Sequence, residues 1–117
     1  MAGKQDAISG ARTPEELETL FEDSLLLRDY QVLTALFESG ATLVMGREQP
    51  VRGGEAIART ALATCNGIGA YVADPRRVLL ARNCALVITE QGINVMHRGD
   101  DGVWRYAIVV HAVEESN

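Results

Sequence analysis

The sequence predicts an α+β fold: a curved mixed or antiparallel sheet of about five to six strands wrapped as a cone around three N-terminal helices. Two capped helical patterns lie between Thr13 and Gly40, and a tight hairpin over 41–52 leads through Gly53-Gly54 into a third helix. Past residue 70 the period changes from helical to alternating, with short polar turns between the apolar runs.

Thr13-Pro14-Glu15-Glu16 starts the first helix. Thr13 is a capping residue, Pro14 suits the first helical position, and Glu16 completes a capping box. Leu17, Leu20, Phe21 and Leu25 then recur at helical spacing, so the helix is expected over Pro14–Arg28. Asp29 caps a second helix carrying Val32, Leu33, Leu36 and Phe37, expected over Tyr30–Ser39 and closed by Gly40 in a left-handed end. Ala41–Met45 reads as a strand, Gly46–Gln49 as a turn, and Pro50–Arg52 as an edge-type return strand that tolerates proline. In the third helix Glu55 sits favourably in the first turn, Ile57, Ala61, Leu62 and Cys65 face inward, and Asn66-Gly67 ends it. The strands expected afterwards are Val78–Ala81, Cys84–Thr89, Ile93–Arg98 and Val103–Ala112, with Tyr71–Asp74 as an extension of the first.

At 117 residues the chain is expected to form one domain over 13–113, between a flexible arm (1–12) and a short tail (114–117). A net charge of −5, with Arg76-Arg77 the one basic pair, argues against a nucleic-acid partner. There is no run of 18 apolar residues, and MAGKQDAISGAR lacks the apolar stretch of a signal peptide. No membrane partner and a cytoplasmic location are therefore expected. Cys65 and Cys84 lack metal-ligand spacing and are expected to be free, buried thiols; neither a metal nor another cofactor is predicted. Cys84–Thr89 and Ala107–Val110 are apolar on both faces. Such strands are covered on both sides. The helices would cover one face and a second copy of the chain the other, giving a homodimer through the sheet.

Arg28-Asp29, Leu36-Phe37, Ala41-Thr42, Val51-Arg52-Gly53, Glu55-Ala56-Ile57 and the closing Asp101-Gly102-Val103-Trp104-Arg105-Tyr106, in this order and spacing over residues 14–112, resemble the NTF2-like superfamily. The closest likeness is to its SnoaL-like and DUF4440-type small domains, relatives of ketosteroid isomerase. The resemblance implies a cone-shaped, usually dimeric domain with a pocket between sheet and helices. It implies no single activity, because members include enzymes and non-catalytic binders. Carried over residue by residue, the isomerase's carboxylate base falls at Met45 and its oxyanion-stabilising tyrosine at Phe21. Neither side chain can perform that chemistry. Both are expected to line an apolar pocket instead.

The polar candidates are few. His97 and His111 are the only histidines, and each reads either as an acid–base group or as a structural histidine. Strict alternation places Trp104, Tyr106, Ile108 and Val110 on one face of the last strand, as core packing or as a ligand-facing wall. Tyr71 is a further inward candidate. The reading is of a domain that binds a small apolar or aromatic molecule through Phe21, Met45, Tyr71, Trp104 and Tyr106. The alternatives are a SnoaL-like cyclase, isomerase or hydrolase using His97 or His111, and a dimeric interaction module.

Overall fold

The computed structural model describes residues 10–64, 75–90 and 92–111. Among these residues three helices, α1 (Pro14–Leu27), α2 (Tyr30–Ala35) and α3 (Gly54–Thr64), pack on a six-stranded sheet. Its strands are β1 (Phe37–Met45), β2 (Val51–Arg52), β3 (Pro75–Ala81), β4 (Cys84–Thr89), β5 (Gly92–Arg98) and β6 (Trp104–His111). The order across the sheet is β2-β1-β6-β5-β4-β3. All pairs are antiparallel except β1 with β6, so the sheet is mixed.

The helix starts follow the local chemistry. Thr13 Oγ1 accepts from the Glu16 amide at 3.0 Å. Glu16 reaches one residue further back than in the usual box and accepts from the Arg12 amide at 2.7 Å. α1 ends where Arg28 turns left-handed (φ 52°), with its amide bonded back into the last turn. Asp29 Oδ1 accepts from the Val32 amide at 3.2 Å and starts α2. Of the expected N-terminal arm, residues 1–9 lie outside the described residues, whereas Ala11 is buried and bridges Trp104.

The second helix is shorter than its apolar stripe predicts. It stops at Ala35, and Phe37 already pairs with Tyr106 of β6, with the Tyr106 amide donating to Leu36 O at 2.9 Å. Of the expected stripe, Leu33, Leu36 and Phe37 are buried while Val32 is exposed, and sheet pairing captures Phe37. Gly40 accordingly lies within β1, at an irregularity between Phe37 and Thr42, and not at a helix end. The expected third-helix terminus at Asn66-Gly67 and the inward Cys65 lie outside the described residues.

Registers and burial define the two sheet faces. Inward rows run Ala85–Met96–Tyr106–Phe37 and Val78–Val87–Asn94–Val109–Leu43. Gly92, His111 and Met45 align at the end of the sheet. The outward face carries Leu79, Leu86, Val95, Ile93, Ile108 and Val110, half-buried or exposed. The alternation expected for the last strand does not hold along its length. Val95 pairs with Ile108 and Met96 with Tyr106, leaving Ala107 as the extra residue of a bulge. Trp104 and Tyr106 therefore point inward, while Ile108 and Val110 point outward. Cys84 is also a correction: it opens β4 beside the turn on the outward face and is exposed, not buried.

The core joins Leu17 and Leu25 of α1, Leu33 of α2, Ile57, Ala58 and Ala61 of α3, and the inward strand residues. Phe21, Phe37 and Tyr106 form an aromatic cluster, with Phe21 edge-on to the other two rings at 6.1 and 5.6 Å between centroids. No helix among the described residues is long and apolar enough to cross a membrane.

Candidate functional site

A cavity of about 250 Å³ opens between the helices and the inward sheet face. Phe21 of α1, Phe37, Leu43 and Met45 of β1, Ile57 and Ala61 of α3, and Val109 of β6 supply its apolar wall. Thr64, Thr89 and His111, all partly exposed, mark its open end. Thr89 is occupied locally: its Oγ1 accepts from the Gly92 amide and donates to Gly92 O across the β4–β5 turn. A Cβ at Gly92 would run into Val110 O, so only glycine lets β5 approach β6 at this wall.

Asn94 and Tyr106 provide polar atoms on the sheet side of the cavity. Both are held by Glu18, a fully buried residue of α1. Asn94 Nδ2 donates to Glu18 Oε2 at 2.7 Å, and Tyr106 Oη donates to the same oxygen at 2.8 Å. The cause is geometric. Glu18 stands on the face of α1 that buries Pro14, Leu17 and Leu25, three residues before Phe21. It lies over the point where β5 and β6 present Asn94 and Tyr106. A buried carboxylate needs such donors, and buried amide and phenol groups need an acceptor. The expectation of an apolar pocket is thus corrected at its sheet side: an ionisable side chain, Glu18, lies directly behind the wall.

The sequence candidates separate in space. Phe21, Met45, Tyr106 and His111 line the cavity. Trp104 is buried but does not line it; Arg98 lies over its ring at 5.7 Å. His97 is on the outward face, its Nδ1 3.1 Å from Glu38 Oε2, with both side chains well exposed. Tyr71 lies outside the described residues. No group of three His, Cys, Asp or Glu side chains able to hold a metal occurs among the described residues.

Glu18 and Asn94 were missed by sequence reasoning, although both carried a signal. Glu18 interrupts the inward stripe between Leu17 and Phe21, and Asn94 falls on the opposite alternation face from Ile93 and Val95. A charge inside a helical apolar stripe, and an amide on a strand that also carries apolar residues on both sides of it, need partners if they are buried. Here they are partners.

No family model matches the chain, and no curated protein matches it. Its architecture, however, is shared by solved structures. A candidate calcium/calmodulin-dependent protein kinase type II association domain from Thiobacillus denitrificans superposes with a TM-score of 0.70 at 15% identity, covering 92% of this chain and 99% of that one. A ketosteroid isomerase-like protein from Erwinia carotovora gives 0.69 at 12% identity, covering 98% and 100%. A candidate dehydratase of the NTF2-like family from Streptomyces avermitilis gives 0.64 at 15% identity, covering 86% and 92%. The class defined by these likenesses is the α+β cone of the NTF2-like fold. At such identities they establish the fold alone.

Proposed function

We propose that this chain is a small-molecule-binding domain of the NTF2-like type, taking a small apolar or aromatic ligand in its cavity without isomerase chemistry. The observation that carries the reading is the cavity wall of Phe21, Phe37, Leu43, Met45, Ile57 and Val109 around about 250 Å³. An apolar cavity of roughly 150 Å³ suffices for benzene. The larger space here suits a bicyclic or substituted monocyclic ring. Met45 and Phe21, at the places where the isomerase resemblance requires a base and a hydrogen-bond donor, offer only apolar surface. A homodimer through the outward sheet face completes the proposal, supported by Ile93, Ile108 and Val110 standing partly exposed there.

Thermal denaturation with a panel of hydrophobic ligands tests this reading. A ligand at tenfold its Kd adds about 1.4 kcal/mol, a rise in Tm of roughly 5–8 °C for a domain of this size. Ala61→Phe, which fills the cavity from α3, is expected to abolish that rise. A panel without any stabilising ligand refutes the proposal. A second reading, an acid–base enzyme, rests on His111, because that imidazole lines the cavity whereas His97 faces Glu38 outside it.

A further inference from the structure

Asn94 occupies the middle of the inward row Val87–Asn94–Val109–Leu43, where every neighbour in the row is apolar. Its amide is not free to turn. Nδ2 gives a proton to Glu18 Oε2, so Oδ1 lies on the other side of the amide. No described residue donates to Asn94 Oδ1. It is also not a sealed atom: among the described residues Thr34 Oγ1 is the one buried side-chain polar atom that lacks a hydrogen-bond partner. Asn94 lines the cavity, which is therefore the route by which a ligand would meet this acceptor.

Tyr106 is committed in the same sense. Its single phenolic proton goes to Glu18, so it has none to give to a ligand. Among the described residues lining the cavity there is no lysine or arginine. The polar end of the cavity therefore presents an acceptor, backed by a carboxylate, with His111 the only basic side chain on its wall among the described residues. Such a site is the reverse of one that stabilises an oxyanion.

We infer that the cavity selects a neutral aromatic molecule carrying one hydrogen-bond donor, a phenolic hydroxyl or an indole-type N–H, which it delivers to Asn94 Oδ1. Glu18 is the positioning residue that fixes which way the amide faces. This inference rests on the small-molecule reading above and deepens it by naming the ligand class. A ligand carboxylate would meet an acceptor and a second carboxylate where it needs donors. A ligand without a donor would remove water from Asn94 Oδ1 and return nothing.

Calorimetric titration of the full chain with naphthalene, 2-naphthol, 2-methoxynaphthalene and 2-naphthoate tests this without any variant. One neutral hydrogen bond corresponds to a preference of about three- to tenfold. The expected order is 2-naphthol tightest, naphthalene and 2-methoxynaphthalene about three- to tenfold weaker, and 2-naphthoate weakest. Asn94→Leu is expected to bring the ratio of naphthol to naphthalene affinity down to about one, whatever it does to both affinities together. Glu18→Gln has an N–H of its own to offer, so Asn94 can turn over, and the naphthol-to-methoxynaphthalene ratio falls towards one. A merely structural role for Glu18 would lower all affinities together and leave that ratio unchanged. Equal binding of naphthol and methoxynaphthalene, or tightest binding of naphthoate, overturns the donor-selective site while the apolar pocket stands. Failure of all four ligands to bind overturns both.

Discussion

Replacing Glu18 by alanine gives the sharpest test of how the helices and the sheet hold each other. The substitution removes the acceptor of two buried donors, Asn94 Nδ2 at 2.7 Å and Tyr106 Oη at 2.8 Å. A buried donor left without a partner costs about 1–3 kcal/mol, so the pair sets an upper range of about 2–6 kcal/mol. Water entering from the cavity can reach Asn94 and relieves part of this, which places the expected loss near 3 kcal/mol. Urea denaturation followed by the fluorescence of Trp104, the single tryptophan, reads it directly. With a slope of about 1–3 kcal/mol per molar urea, the midpoint should fall by roughly 1–3 M. The triple change Glu18→Leu, Asn94→Leu and Tyr106→Phe removes donors and acceptor together, and should lose much less than the single one. A Glu18→Ala midpoint equal to that of the unaltered protein, or a triple variant that falls as far as the single one, refutes the argument.

Gly92→Ala drives a methyl group into Val110 O, and should destabilise the β5–β6 edge by about 1–3 kcal/mol, seen as a lowered urea midpoint. Asp101 accepts from the Arg105 guanidinium at 2.9 Å and from the Val103 amide at 3.0 Å; these bonds, that from Arg105 foremost, hold its carboxyl below the usual 3.8. The folded form therefore prefers the ionised group, so its contribution is full at neutral pH and fades as the pH falls below about 3.8. The Tm difference between the unaltered protein and Asp101→Asn should shrink to nothing along that acid limb, and a difference that persists contradicts the assignment. Ile108→Lys places a charge in the outward apolar face; sedimentation should show a dimer for the unaltered chain and a monomer for the variant, and either a monomeric unaltered chain or an unchanged dimer removes the sheet-face interface from the proposal.

Much of the fold was legible because the signals were local. Thr13, Pro14 and Asp29 set the helix starts through side chains within three residues of the groups they serve. The turns at Arg82-Asn83 and Gly99–Gly102 punctuated the strands for the same reason. The errors arose where distant pairing decided the outcome. Phe37 has a helical pattern behind it, but Tyr106, far along the chain, recruits it into the sheet. Ala107 carries no turn residue to announce a bulge, yet the register against Val95 and Met96 requires one, and it reverses the facing of Ile108 and Val110. The candidate site was half legible. Phe21 and Met45 were found through the family resemblance. Glu18 and Asn94 were passed over because each looks like a misplaced surface residue until the other is brought against it.

The place of β6 has a consequence for how the molecule is made. It stands between β1 and β5, so before Trp104–His111 join, the chain holds two separate ribbons, β1–β2 and β3–β4–β5, each with an unpaired inner edge. The bonds that tie β1 to β6 join distant parts of the sequence, as the Tyr106 amide to Leu36 O does. Both ribbons must wait for this one segment, and each waits with its backbone open to any passing strand. Assembly is thus closer to inserting a keystone than to laying courses in turn.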